Sequence, residues 1–155
     1  MKAFSGRLFE DFSIGQHFIH PVPRTVHGGD LALYIALTGD RRPLSSSTEF
    51  ARSLGFAREV THDFLVFHLV FGKSVIDISQ NAIANLGYAD VRFLRPVYPG
   101  DTLIADSTVI GLREVSSRDA GVVYVRTRGV NQRGQEVLTF CRWVLVPKRD
   151  PAAVL

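Results

Sequence analysis

Cysteine is nearly absent: Cys141 is the only one in 155 residues. An intrachain disulfide is therefore excluded, and so are zinc sites built on two or four cysteines. Long apolar runs are missing too. The most apolar stretch, Phe64 to Phe71, is short and broken by His68, whereas a bilayer crossing takes about 20 residues. Met1 to Leu8 carries no long apolar h-region, so no signal peptide is expected. No basic stripe interleaved with aromatics is present. The net charge is only +3, and its arginines are scattered, which argues against a nucleic-acid binder and suits an anionic small ligand better. Internal repeats, linkers and low-complexity tracts are also lacking. These absences lead to the expectation of a soluble, cytoplasmic protein that engages neither membrane nor nucleic acid.

What is present is the composition of one folded domain. The chain is 46% hydrophobic and 21% charged, and at this length a core holds without covalent staples. His17 to Val26 mixes β-formers with Pro21 and Pro23, which predicts an edge strand or an extended lead-in. Leu31, Leu33, Tyr34 and Leu37 recur at helical spacing, with Asp30 as the expected N-cap and Gly39 as the stop. Asp40 to Ser47 is predicted as a loop, and Thr48 to Leu54 as a short helix capped by Ser47. From His62 to about Ile78 the apolar residues cover nearly every face. Periodicity leaves strand and helix open here. The length favours a long buried helix, which Thr61 or Asp63 would cap. Four strands follow: Asn81 to Arg95, Thr102 to Leu112, Gly121 to Gly129 and Val137 to Val146. Asn131-Gln132-Arg133-Gly134 forms a hairpin turn between the last two. On the first of these strands Tyr88, Asp90 and Arg92 share one parity. Trp143 and the phenylalanines are assigned to the core, and the strand arginines Arg92, Arg95, Arg126 and Arg128 to snorkelling or cross-strand pairs. The order is α+β: an antiparallel sheet wrapped around a long central helix.

Several short strings carry a resemblance over nearly the whole chain. They are Phe9-Glu10-Asp11-Phe12 with Gly15-Gln16, Arg24-Thr25-Val26 before Asp30, Leu37-Thr38-Gly39-Asp40 with Pro43, and Pro99-Gly100-Asp101-Thr102-Leu103. In this order and spacing the chain resembles the MaoC-like hydratase/dehydratase family, which has the hot-dog fold. Three further segments are similar to the mesaconyl-CoA hydratase (β-methylmalyl-CoA dehydratase) branch. They are Phe67-His68-Leu69-Val70-Phe71-Gly72-Lys73, Asn85 to Phe93, and Val125 to Gly129 with Asn131 to Gly134. Members of that branch hold two hot-dog units in one chain. Residues 1–155 would make one unit, which is expected to pair with itself or with another hot-dog protein.

The resemblance implies a substrate and a site. Hydration of an α,β-unsaturated coenzyme A thioester needs a base for water, a proton for the α-carbon, and donors for the thioester oxygen. The coenzyme is part of the substrate, and no separate cofactor or metal is expected. In the family an Asp-x-Asn-Pro-x-His pattern performs the proton transfers. Asp40 and Pro43 match it, Arg42 replaces the Asn, and Ser45 replaces the His. A hydroxyl cannot stand in for imidazole near neutral pH. The family's His-Gly pair at the start of the central helix, whose backbone N–H polarises the thioester, reads His62-Asp63. Asp40 and His62 are thus the candidate catalytic residues. Arg41, Arg42, Ser45 and Asp63 are the candidate substrate contacts, the two arginines toward coenzyme A phosphates or a substrate carboxylate. Each has a structural alternative: Asp40 as a turn residue, His62 as a histidine of the capping region, Ser45 as a loop or cap serine, the arginines as solvated surface. His68 reads as a core histidine bonded to a backbone carbonyl. His17 and His20 lie three apart, on opposite strand faces.

Three functions remain open on the sequence. The first is an enoyl-CoA hydratase or 3-hydroxyacyl-CoA dehydratase, a hydro-lyase with a degenerate Asp/His motif. The second is a non-catalytic hot-dog subunit serving a catalytic partner, which Ser45 and Asp63 favour. The third is an acyl-CoA thioesterase using Asp63.

Overall fold

A computed structural model describes residues 6–117 and 119–149. Five strands form one antiparallel sheet in the order β1-β3-β4-β5-β2: β1 His17–Thr25, β2 Ala84–Phe93, β3 Thr102–Val115, β4 Ala120–Val130 and β5 Glu136–Pro147. The last three are joined by tight turns and lie side by side. In the turn between β4 and β5 the Gly134 N–H donates to the Asn131 carbonyl at 2.9 Å, with Gly134 at φ 70°. Such a left-handed position costs glycine nothing. Pro21 and Pro23 interrupt the pairing of β1 with β3 between His20 and Arg24, and β1 is an edge as expected. The other edge, β2, departs from simple alternation. Its register with β5 shifts between Ala89 and Arg92, and Asp90 adopts φ 52°, so the shared parity of Tyr88, Asp90 and Arg92 does not hold. A bulge inserts a residue and resets the alternation.

Four helices connect β1 to β2: α1 Gly28–Thr38, α2 Pro43–Ser46, α3 Thr48–Ser53 and α4 Asp63–Lys73. The start of α1 differs from expectation. His27 is the N-cap, and Asp30 sits three residues later, its carboxylate accepting the His27 N–H at 2.9 Å and the Arg24 guanidinium at 2.8 Å. That is one half of a capping box, with the acid at N3. Gly39 closes α1 in the left-handed conformation, φ 69°. The predicted loop after it contains α2, which Pro43 can open because the first helical residue needs no N–H. Ser47 caps α3 as predicted, its hydroxyl accepting the Phe50 N–H at 3.2 Å.

The central helix α4 is shorter than expected. It ends at Lys73, and the chain continues as a π turn over Val75–Ser79. It also buries only one side. Leu65, Val66, Phe67 and Val70 are buried, whereas Phe64 is 55% exposed and His68 is exposed. His68 is therefore not a core residue, although its Nδ1–H does donate to the Phe64 carbonyl at 2.7 Å. Val66, Phe67 and Val70 pack with Val26, Leu103, Val137, Leu138 and Phe140, each burial stabilising by about 1.5–3 kcal/mol. Gly129 of β4 lets α4 lie against the sheet: a Cβ built there would stand 2.5 Å from Val70 Cγ2.

The phenylalanines divide. Phe12, Phe18, Phe67 and Phe140 are buried, while Phe50, Phe64 and Phe93 are exposed, and Phe4 lies outside the described residues. Trp143 is half-buried and stacks on Tyr124 at 4.6 Å between centroids. Arg128 makes the cross-strand pairs expected of it, at 2.8 Å to Asp106 and 2.9 Å to Glu136. Arg95 lies beyond the end of β2. Arg142 of β5 is wholly buried, donating to Ser74, Ser79 and Asn85 and lying over the Phe71 ring, and burial lowers its pKa to about 10.

Candidate active site

The turn after α1 and the start of α4 meet at one point. The left-handed Gly39 throws Asp40 out of α1. Asp40 Oδ1 accepts the Arg42 N–H at 3.0 Å, a local turn bond, while Oδ2 accepts a short hydrogen bond from His62 Nε2. His62 immediately precedes α4. Neither Thr61 nor Asp63 caps this helix. The His62 ring does so, with Nδ1 accepting the Phe64 N–H at 3.1 Å. A ring nitrogen that accepts carries no proton, so the proton sits on Nε2 and points at Asp40. The ring is only 5% exposed, with Tyr34 of α1 against it at 4.8 Å between centroids. The His62 hydrogen bond, then the Arg42 amide, hold the Asp40 carboxyl below its usual pKa.

The other candidates divide. Arg42 is committed inside the site, with Nε 3.4 Å from Asp40 Oδ2 and a terminal nitrogen 3.4 Å from Asp63 Oδ2. Asp63 is thereby held by a cation at the edge of the helix end. The helix start brings positive dipole and first-turn amides without intrahelical acceptors. Arg41 is exposed beside Asp40. Ser45 is buried within α2, its amide bonded to the Arg42 carbonyl at 3.0 Å. Among the described residues no hydrogen bond joins it to Asp40 or His62.

A groove of about 510 Å³ runs between α4 and β1, lined in part by Val22, Arg24, His68, Leu69 and Lys73. Lys73 Nζ donates to the Val22 carbonyl across it. His20 forms part of its floor and belongs to a polar chain that sequence reasoning missed. Its Nδ1–H donates to Asp77 at 2.8 Å, its Nε2 accepts from Ser107 at 2.9 Å, and Ser107 meets Thr127 at 2.8 Å. The available signal was parity: His20 shares the inward face of β1 with Phe18. Burial lowers the His20 pKa, against the opposing pull of Asp77. Among the described residues no three His, Cys, Asp or Glu side chains gather as a metal ion requires, and no helix is long and apolar enough to cross a membrane.

An antiparallel sheet packed along one central helix defines a hot-dog unit, and here a polar pair stands where that helix begins. A Mycobacterium tuberculosis protein with a double hot-dog fold matches it at TM-score 0.87 and 28% identity, covering 94% of this chain and 46% of that one. The MaoC like domain matches residues 11–131, so the chain belongs to the MaoC-like family. A mesaconyl-CoA hydratase of Cereibacter sphaeroides is 59% identical over 99% of the chain and 45% of its own length. The crystal structure of a MaoC domain dehydratase from Chloroflexus aurantiacus superposes at TM-score 0.93 with 56% identity, over 99% of this chain and 44% of that one. The chain thus spans about half the length of the curated relatives it matches.

Proposed function

We propose that the chain is one hot-dog unit of a hydro-lyase that interconverts enoyl-CoA and 3-hydroxyacyl-CoA thioesters, with mesaconyl-CoA as the substrate type. The observation that carries this is the Asp40–His62 pair at the entry of α4. The family's usual histidine position is Ser45, and an imidazole nonetheless reaches the family's aspartate from the helix start. Asp40 is the base: it takes a proton from water as the oxygen bonds to the β-carbon, and returns that proton to the α-carbon. Electron density moves meanwhile to the thioester oxygen, stabilised by the amide of Asp63 and the N-terminal dipole of α4. His62 donates to Asp40, fixing its orientation and keeping it ionised. Arg41 faces the phosphates of coenzyme A. No cofactor enters, because the thioester itself stores the negative charge. A second hot-dog unit pairs with this one.

A second reading has a specific support. Ser45, buried and without a bond to the pair, leaves the family's own acid–base position empty of imidazole, as in a unit that shapes a tunnel for a catalytic partner. The two separate in one assay, in which loss of the enoyl-thioester absorbance of mesaconyl-CoA and crotonyl-CoA is followed with the purified chain. The first reading expects turnover, reduced 10²- to 10⁴-fold in Asp40→Asn, the usual worth of a positioned acid or base. A silent wild-type chain would leave only the second.

A further inference from the structure

Hydration and dehydration chemistry accounts for Asp40 and His62, but not for the polar group further along the same helix. Phe64, His68 and Gly72 of α4 are exposed at four-residue spacing, as is Ile76 in the π turn that follows. Only His68 among them carries a polar side chain. Its Nδ1–H is held by the Phe64 carbonyl at 2.7 Å, which pins the ring and leaves Nε2 without a partner among the described residues. Tyr34 bridges the two rings, 4.8 Å from His62 and 6.5 Å from His68 between centroids. His68 therefore stands beside the candidate site, at the mouth of the groove between α4 and β1.

We infer that His68 Nε2 binds a free carboxylate on the acyl group and so selects dicarboxylic acyl thioesters. The spacing fits. Six residues of helix rise about 9 Å, and helical side chains lean toward the N-terminus, which shortens the gap to His62. A β-carbon in near-attack position lies about 3–3.5 Å from the water held at Asp40, and a carboxylate on that carbon extends one bond beyond it. Of the other basic side chains around the site, Arg41 is assigned above to the coenzyme A phosphates, and the rest are committed or distant. Arg42 is bound to Asp40 and Asp63, Arg24 to Asp30, and Lys73, about 16 Å along the axis from His62, to the Val22 carbonyl. With Nδ1–H fixed by a backbone carbonyl, Nε2 donates to a carboxylate when it takes up a proton together with that ligand, which makes the bond charge-assisted.

This inference rests on the ligand class proposed above and not on its chemical step, so its test uses ligands that cannot react. 2-Methylsuccinyl-CoA, linked at C1, and 2-methylbutanoyl-CoA differ only in a terminal carboxylate against a methyl, and both are saturated. Calorimetric titration of the wild-type chain is expected to show at least tenfold tighter binding of the first. In His68→Leu and His68→Gln that ratio falls at least fivefold toward unity, with 2-methylbutanoyl-CoA affinity unchanged. Arg41→Gln weakens both ligands alike. The inference is overturned by equal affinities in the wild type, by binding of neither ligand, by a preference that survives in both His68 variants, or by one lost only in Arg41→Gln. A wild-type preference without hydration of mesaconyl-CoA would refute the catalytic reading and leave this one standing.

Discussion

Gly129→Ala tests whether the sheet sets the height of the central helix. The added methyl would stand 2.5 Å from Val70 Cγ2, 3.1 Å from Cγ1 and 3.4 Å from Cβ. Ordinary carbon contacts begin near 3.5 Å, so about 1 Å must be found. Val70 is fully buried, and a β-branched side chain in a helix has essentially one χ1 available, so the shift falls on the helix axis. Such overpacking costs about 1–3 kcal/mol, and each kcal/mol lowers Tm by about 2–4 °C in a chain of this size. The consequence reaches the site because His62 rides on α4 while Asp40 hangs from α1. A misplacement of about 1 Å between reacting groups can cost 10²-fold in rate. The assay is a thermal melt by circular dichroism with the enoyl-thioester rate alongside. A double-mutant cycle with Val70→Ala supplies the control. That change alone costs about 2 kcal/mol, yet it removes both clashing methyls, so the double variant should be more stable than additivity allows. Additive losses, or a Gly129→Ala protein with unchanged Tm and rate, would refute the reasoning.

Three further outcomes are expected. His20 binds its proton less readily folded than unfolded, so the unfolded chain gains protons first as pH falls. Stability is then complete above about 6.5 and declines below it; Tm measured between pH 8 and 5 should fall more steeply in the wild type than in His20→Gln. Asp40 has the opposite charge but the same direction: its folded pKa is lowered, so its contribution holds above the ordinary carboxylate range and is lost only as pH falls through the lowered value. The acidic limb of any hydration profile should accordingly lie below that of an ordinary carboxylate. Ser47→Ala removes the α3 cap and should cost about 1 kcal/mol in urea unfolding, with the spectrum of the rest unchanged.

The elements legible in the sequence were those with strong local signals. Pro21 and Pro23 marked the edge strand, and Gly39 and Ser47 the helix boundaries. Asp40 and His62 were both visible as candidates for one site, but the hydrogen bond between them was not, because it joins residues 22 apart through a tertiary contact. The cap of α4 was misassigned because short oxygen side chains usually cap helices, and an imidazole took the role instead. His68 looked buried because its neighbours are apolar, yet one face of α4 lies outside the sheet's cover. The buried Arg142 carried no local signal, because its acceptors Ser74, Ser79 and Asn85 come from other parts of the chain.

The two edges of the sheet are chemically unlike. Along β1 the backbone lacks two amide hydrogens, at Pro21 and Pro23, and the Val22 carbonyl between them is already occupied by Lys73. A foreign strand finds nothing continuous to bond there. β2 contains no proline from Ala84 to Phe93 and keeps Leu86, Tyr88, Val91 and Phe93 exposed. Growth of the sheet is thus one-sided. Two such units joined through β2 would each turn a blocked border outward, and the assembly would terminate itself at a finite size instead of propagating into a fibre.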